Sequence, residues 1–189
     1  MLDRLESTTR HCRRPSDLGW THLSSSSSET SYAAQLVEVY GFEAAAEAAL
    51  AYTPDLAGVL GRQQTTRSGL IALDLLALGL SAAEVARLAQ FPEITIHDVG
   101  EALGWLYVLE RSTLMFEQWH MRIARQLRRR DAFSYLGHYG SRAASRWNEL
   151  RRVLDRPDTI ELEHRIIAGA LDAVRCEWEW NGRPKSRRN

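Results

Sequence analysis

Apolar positions along this chain recur with a helical period, and the alternating apolar–polar runs that mark strands are missing. In the first 13 residues, Leu2, Leu5 and Thr9 share one helical face, and Pro15 is expected to end or kink that helix. The serines 24–28 read as a flexible loop, extending to about residue 30, and not as a domain boundary. A second helix is predicted over 31–51, offering Tyr32, Leu36, Val39, Tyr40 and Phe42 to the core, with Gly41 as a weak point. Residues 65–78 are apolar on most sides, which predicts a central helix, and Gly79 follows as its C-cap. Ser81-Ala-Ala-Glu84 is a capping box opening a short helix that ends before Pro92. A long helix is predicted over 98–130 and another over 141–156, stopped by Pro157. A second capping box, Asp158-Thr-Ile-Glu161, opens a last helix running to about Trp180, with Asn181-Gly182 ending it. The expectation is an all-α single domain over residues 1–180, with six to eight helices, and a basic, frayed tail over 181–189.

With 189 residues the chain is long enough to bury a core without disulfides or a structural metal. Lys+Arg and Asp+Glu both number 24, so no global charge pulls it toward nucleic acid or an anionic membrane. The balance conceals a polarity: residues 1–110 hold 7 basic and 14 acidic side chains, residues 111–189 hold 17 and 10. Cys12 and Cys176 stand far apart, which argues against a disulfide framework or a zinc ribbon. No signal segment opens the sequence, and the most apolar stretch, 70–80, is interrupted by Asp74 and too short to span a bilayer. A reduced, cytoplasmic protein is expected.

The segment 102–116 carries the most specific signal. Its core reads Leu103-Gly104-x-Leu106-Tyr107-Val108-Leu109-Glu110-x-Ser112-Thr113-Leu114. It resembles the distal helix of the bacterial, biliverdin-forming haem oxygenases, L-G-x-L-Y-V-L-E-G-S-x-L-G-G. Leu5-x-x-x-Thr9-Arg10 is similar to the L-x-x-x-T-R opening of that family's first helix. The segments 40–47, 67–80 and 133–147 resemble further family helices in the same order, so the likeness covers most of residues 2–175. It implies a haem oxygenase-like, multi-helical fold. In that family haem is clamped between two helices. The first supplies an iron-binding histidine, and the second kinks at glycines so that its backbone passes over the porphyrin and directs dioxygen to one meso carbon, giving biliverdin, iron and carbon monoxide.

The chain departs from the family at both faces of that ligand. Arg13 stands where the pattern places the histidine, and a guanidinium is not an iron ligand. His11 and Cys12 lie about 100° and 200° away around a helix, so His11 could replace it only through a register shift; Cys12 is a weaker substitute. Arg111, Met115 and Phe116 replace the glycines, and Met115 and Phe116 are expected to fill the space of the macrocycle as core residues. Met115 as a soft axial ligand is the functional alternative.

Arg122, Arg125 and Arg128 share one helical face. They suit propionates or another anion, or form a solvated basic face near a helix C-terminus. The candidate ligand-binding residues are thus Arg13, Arg111, Ser112, Met115, Phe116, Arg122 and Arg125.

Ser112 has no triad partner. Glu161 and His164 stand three apart without a second such pair, so no metal site is expected. The remaining histidines, His22, His97, His120 and His138, point to no site, and Glu43 and Glu47 read as an exposed acidic helix face.

Two functions compete. One is an active haem oxygenase with a replacement ligand such as His11. The other, preferred because four departures coincide at one ligand, is a protein of that fold that has lost haem degradation and binds another ligand or a protein partner. On that reading no cofactor is expected, nor nucleic acid or membrane binding, and a homodimer through the Trp178–Trp180 end is conceivable.

Overall fold

The computed structural model describes residues 1–12, 14–60, 66–155 and 159–182, the side chain of Leu60 excepted. Among them no strand occurs, and the chain is all-α. The helices are α1 (Leu2–Thr9), α2 (Pro15–Ser25), α3 (Glu29–Tyr52), α4 (Leu56–Leu60), α5 (Arg67–Ala77), α6 (Ala82–Ala86), α7 (Val99–Thr113), α8 (Phe116–Leu127), α9 (Ala143–Leu154) and α10 (Ile160–Gly182). Among the described residues ten helices stand where six to eight were expected, because the predicted 98–130 stretch divides and α2 and α4 form where no helix was predicted.

Pro15 begins a helix instead of ending one. It sits at the first position of α2, where its missing N–H costs nothing, after an extended Arg14 (φ −70°, ψ 136°). The serine run is correspondingly short of a loop: α2 takes Ser24 and Ser25, and the Ser28 and Ser31 side chains cap α3 reciprocally. Two predicted signals stand as read. The Ser81–Glu84 capping box opens α6, and Gly79, at φ +101°, closes α5 with Leu80 N bonding Leu75 O and Gly79 N bonding Leu76 O. At α10 the Thr159 hydroxyl accepts from Leu162 N at 3.2 Å and acts as the cap; Asp158 and Pro157 lie outside the described residues, as do 183–189. Asn181 and Gly182, expected in the tail, belong to α10.

The stretch 98–130 is two helices. Asp98 caps α7 through Gly100 N and Glu101 N. At the other end Leu114 N and Met115 N bond the carbonyls of Arg111 and Ser112, one residue closer than an α-helix requires, while the Thr113 hydroxyl engages Glu110 O. The axis breaks there with no glycine present.

Two apolar clusters result. The first gathers Leu5, Phe42, Ala46, Leu103, Trp105, Tyr107, Leu150, Ile166 and Trp180 around α7 and α10. The second gathers Trp20, Tyr32, Leu36, Ile71, Leu75, Phe116, Trp119 and Ile123 with the wide helical turn 134–139. Helix α5 is one-sided rather than central, since Leu73 and Leu76 face solvent. Tyr40, expected in the core, is half-buried at the edge of the second cluster. Helix α3 runs unbroken through Gly41. That glycine admits the Trp180 ring and the Ala89 carbonyl, which a Cβ would meet at 2.3 and 2.6 Å. Trp180 is itself buried and donates to Glu38 O, so only Trp178 of the pair is exposed. No helix among the described residues is long and apolar enough to cross a membrane.

Candidate functional site

Helices α1, α2 and α7 meet around Thr9, Arg111 and Ser112. Thr9, at the end of α1, is buried, and its hydroxyl donates to Leu5 O and accepts from Arg111 Nη1 at 3.0 Å. The same Arg111 nitrogen lies 3.3 Å from the Tyr107 hydroxyl, and its guanidinium covers the Tyr107 ring at 5.6 Å. Tyr107 in turn packs on Trp147 of α9. One turn on, the Ser112 hydroxyl donates to Asp17 Oδ2 at 3.0 Å, tying α7 to α2. Arginine and serine on α7 thus reach across to α1 and α2 directly.

Between the two apolar clusters lies a buried ionic network that sequence reasoning missed. Glu43, only 1% exposed, overturns the expected acidic surface face. Its Oε2 accepts from Arg67 Nη1 at 2.9 Å and its Oε1 from Arg14 Nη2 at 3.3 Å and the Tyr135 hydroxyl at 3.4 Å. Glu110 accepts from Arg67 Nη2, from the Tyr139 hydroxyl at 2.6 Å and from Arg146 Nε. Glu177 accepts from Arg14 Nε at 2.5 Å and from Ser16 N. Three guanidiniums meet three carboxylates, and all six carboxylate oxygens are occupied. Glu47, also read as exposed, is half-buried and caps α5 from outside by accepting from the Arg67 and Ser68 amides.

The charge states follow from this pairing. Burial works against the Arg67 cation, but Tyr139, Glu43 and Glu110 outweigh it and hold its pKa well above the usual value. Burial likewise opposes the Arg14 cation, and Glu177 and Glu43 overcome it. Tyr135 and Tyr139 are pushed up, chiefly by burial, and stay neutral donors. Burial raises the pKa of Glu177 and of Asp17; at Asp17 the Arg14 charge, the Ser112 bond and Arg111 offset it only in part, and Oδ1 is buried without a partner. The Cys176 thiol, buried beside Asp172, is pushed up to about 11, which makes it a poor thiolate.

The predicted site residues do not converge. Arg111 and Ser112 lie together at the α1–α2–α7 junction. Phe116, 2% exposed, belongs to the second cluster, edge-on to Tyr135 at 4.8 Å and beside Trp119 and Tyr139. Met115 is 43% exposed at the helix break and fills no pocket, contrary to expectation. Arg122 and Arg125 lie on the outer side of α8, opposite Trp119 and Ile123. His11 is exposed on the turn after α1, and Arg13 lies outside the described residues. His22 lies on α2, and the half-buried His120 packs its ring on Phe133. Among the described residues no group of three His, Cys, Asp or Glu could hold a metal ion.

These residues do not fit a porphyrin between α1 and α7. Helix α1 ends at Thr9, Arg14 is extended and buried against Glu177 and Glu43, and the α1–α7 gap is bridged by Thr9, Tyr107 and Arg111. Comparison with family models, with curated proteins and with solved structures gave no match.

Proposed function

We propose that this chain is a haem oxygenase-like protein that no longer degrades haem and serves in the cytoplasm as a binding or regulatory protein. The bridge from Arg111 to Thr9 and Tyr107 carries the reading, because it spends the residue at the first family glycine on joining the two helices that would otherwise clamp a macrocycle. Arg14 supports it from the other side. Its pairing with Glu177 and Glu43 holds Arg14 in the ionic core, where removing a partner would leave a buried charge uncompensated. The third support is Phe116, whose ring is held among Tyr135, Trp119 and Tyr139.

The test restores the family pattern. Arg13→His combined with Arg111→Gly, Met115→Gly and Phe116→Gly should create stoichiometric hemin binding in a chain that still melts cooperatively. A variant that folds and ignores hemin would contradict the placement of these helices as a lapsed haem clamp. Binding of hemin by Arg13→His alone would show that the bridge is no obstacle.

A further inference from the structure

We infer that the outer face of α8 is a docking surface for a carboxylate-rich amphipathic helix of a partner protein. This names a partner class for the binding role proposed above and rests on that role.

The face is basic by a local imbalance. Arg129 takes both neighbouring carboxylates, Asp131 at 2.9 Å and Glu29 at 3.4 Å. Arg122, Arg125, Arg128 and Arg130 are exposed and make no ion pair among the described residues. Like charges three residues apart repel on a helix surface, and among the described residues no carboxylate pairs with Arg122 or Arg125 to offset that repulsion. Arg128, in the left-handed conformation at φ 53°, ends the helix and turns the chain within this cluster.

The face is also rigid. Phe116, Trp119 and Ile123 bury the inner side of α8, and Gln126 accepts from Ser27 N and donates to Ser24 O, both at 2.9 Å, which pins the helix to the end of α2. Guanidiniums on an immobile helix lose less freedom on binding than the same groups on a loop.

Its chemistry is graded along the axis. Leu114 and Met115 are exposed just before α8 and Met121, 57% exposed, midway along it, with Glu117 and Gln118 exposed between them; the exposed arginines follow from Arg122 on. From Arg122 to Arg125 the axis advances roughly 4.5 Å, which matches Glu or Asp at i and i+3 on a facing helix, with an apolar turn beside Met121. A nucleic acid fits less well, since the apolar end offers nothing to a phosphate and the chain's balanced charge supplies no long-range attraction.

The probe is a fluorescein-labelled helical peptide with one Leu/Met turn followed by two turns bearing Glu at helical spacing. It is titrated with the full chain at low ionic strength and read by anisotropy. The expected result is saturable binding that weakens at least about tenfold in Arg122→Glu/Arg125→Glu. Met121→Asp should weaken it several-fold. Both variants should keep the wild-type melting temperature, and a peptide with Arg in place of Glu should bind the double variant. Absence of saturable binding, or unchanged affinity after charge reversal, would overturn the surface. Displacement of the peptide by duplex DNA or phosphatidylserine vesicles at equal charge would overturn the choice of a protein partner. These outcomes are separate from hemin binding, which bears on the proposed loss of haem chemistry alone.

Discussion

The Ser112 hydroxyl donates to one oxygen of Asp17 at 3.0 Å, while the other oxygen is buried with no partner. A carboxylate so placed is desolvated without full compensation, which raises its pKa above the unfolded value. The folded state therefore favours the protonated acid. That contribution is complete below the unfolded pKa and is lost as pH rises through the folded one. Asp17→Asn should gain about 1 kcal/mol over the wild type near pH 7, a gain that fades toward about pH 4. Urea unfolding at both pH values checks it; parallel midpoints for the two proteins would count against a raised Asp17.

Glu43 neutralises Arg14 and Arg67 together. Glu43→Gln keeps the shape and removes the charge, leaving two buried cations underpaired, and should cost about 3–5 kcal/mol in chemical denaturation. Glu179→Gln, at the exposed pair with Arg175, should leave the midpoint unmoved within error. Equal effects would mean that the network is not shielded from water.

Helices α7 and α10 cross at two glycines. A Cβ on Gly104 would lie 2.1 Å from Ile166 O and 2.5 Å from Ala170 N, and one on Gly169 would lie 2.2 Å from Glu101 O. Those atoms are backbone, so the helices themselves must separate. Gly104→Ala should destabilise by roughly 2–3 kcal/mol. Gly58→Ala in α4, with open space around it, should stabilise by about 0.5–1 kcal/mol. Thermal melts of both variants decide the matter through their opposite signs.

Much of the helical order was legible because Gly79, Ser81–Glu84 and Asp98 act locally, through backbone groups within a few residues. Pro15 misled because proline excludes a helix interior and suits a helix start equally well. The α7–α8 break had no glycine to announce it, and it depends on Thr113 and on Ser112 reaching Asp17. The ionic network did leave a trace. Glu43 falls on the stripe of Tyr32, Leu36, Val39, Ala46 and Leu50, and Glu177 on that of Ile166, Ala170, Ala173 and Trp180. A charge on an apolar stripe implies a buried counter-charge, but the identity of Arg14 and Arg67 as its partners emerges only when distant helices meet.

The most direct test of the central claim is a hemin titration of the unmodified chain, followed by absorbance. Only the broad spectrum of free or loosely adsorbed hemin is expected, with no saturation at one equivalent. A sharp, saturable one-to-one Soret band with a histidine-type spectrum, followed by biliverdin formation on adding reductant and oxygen, would contradict it.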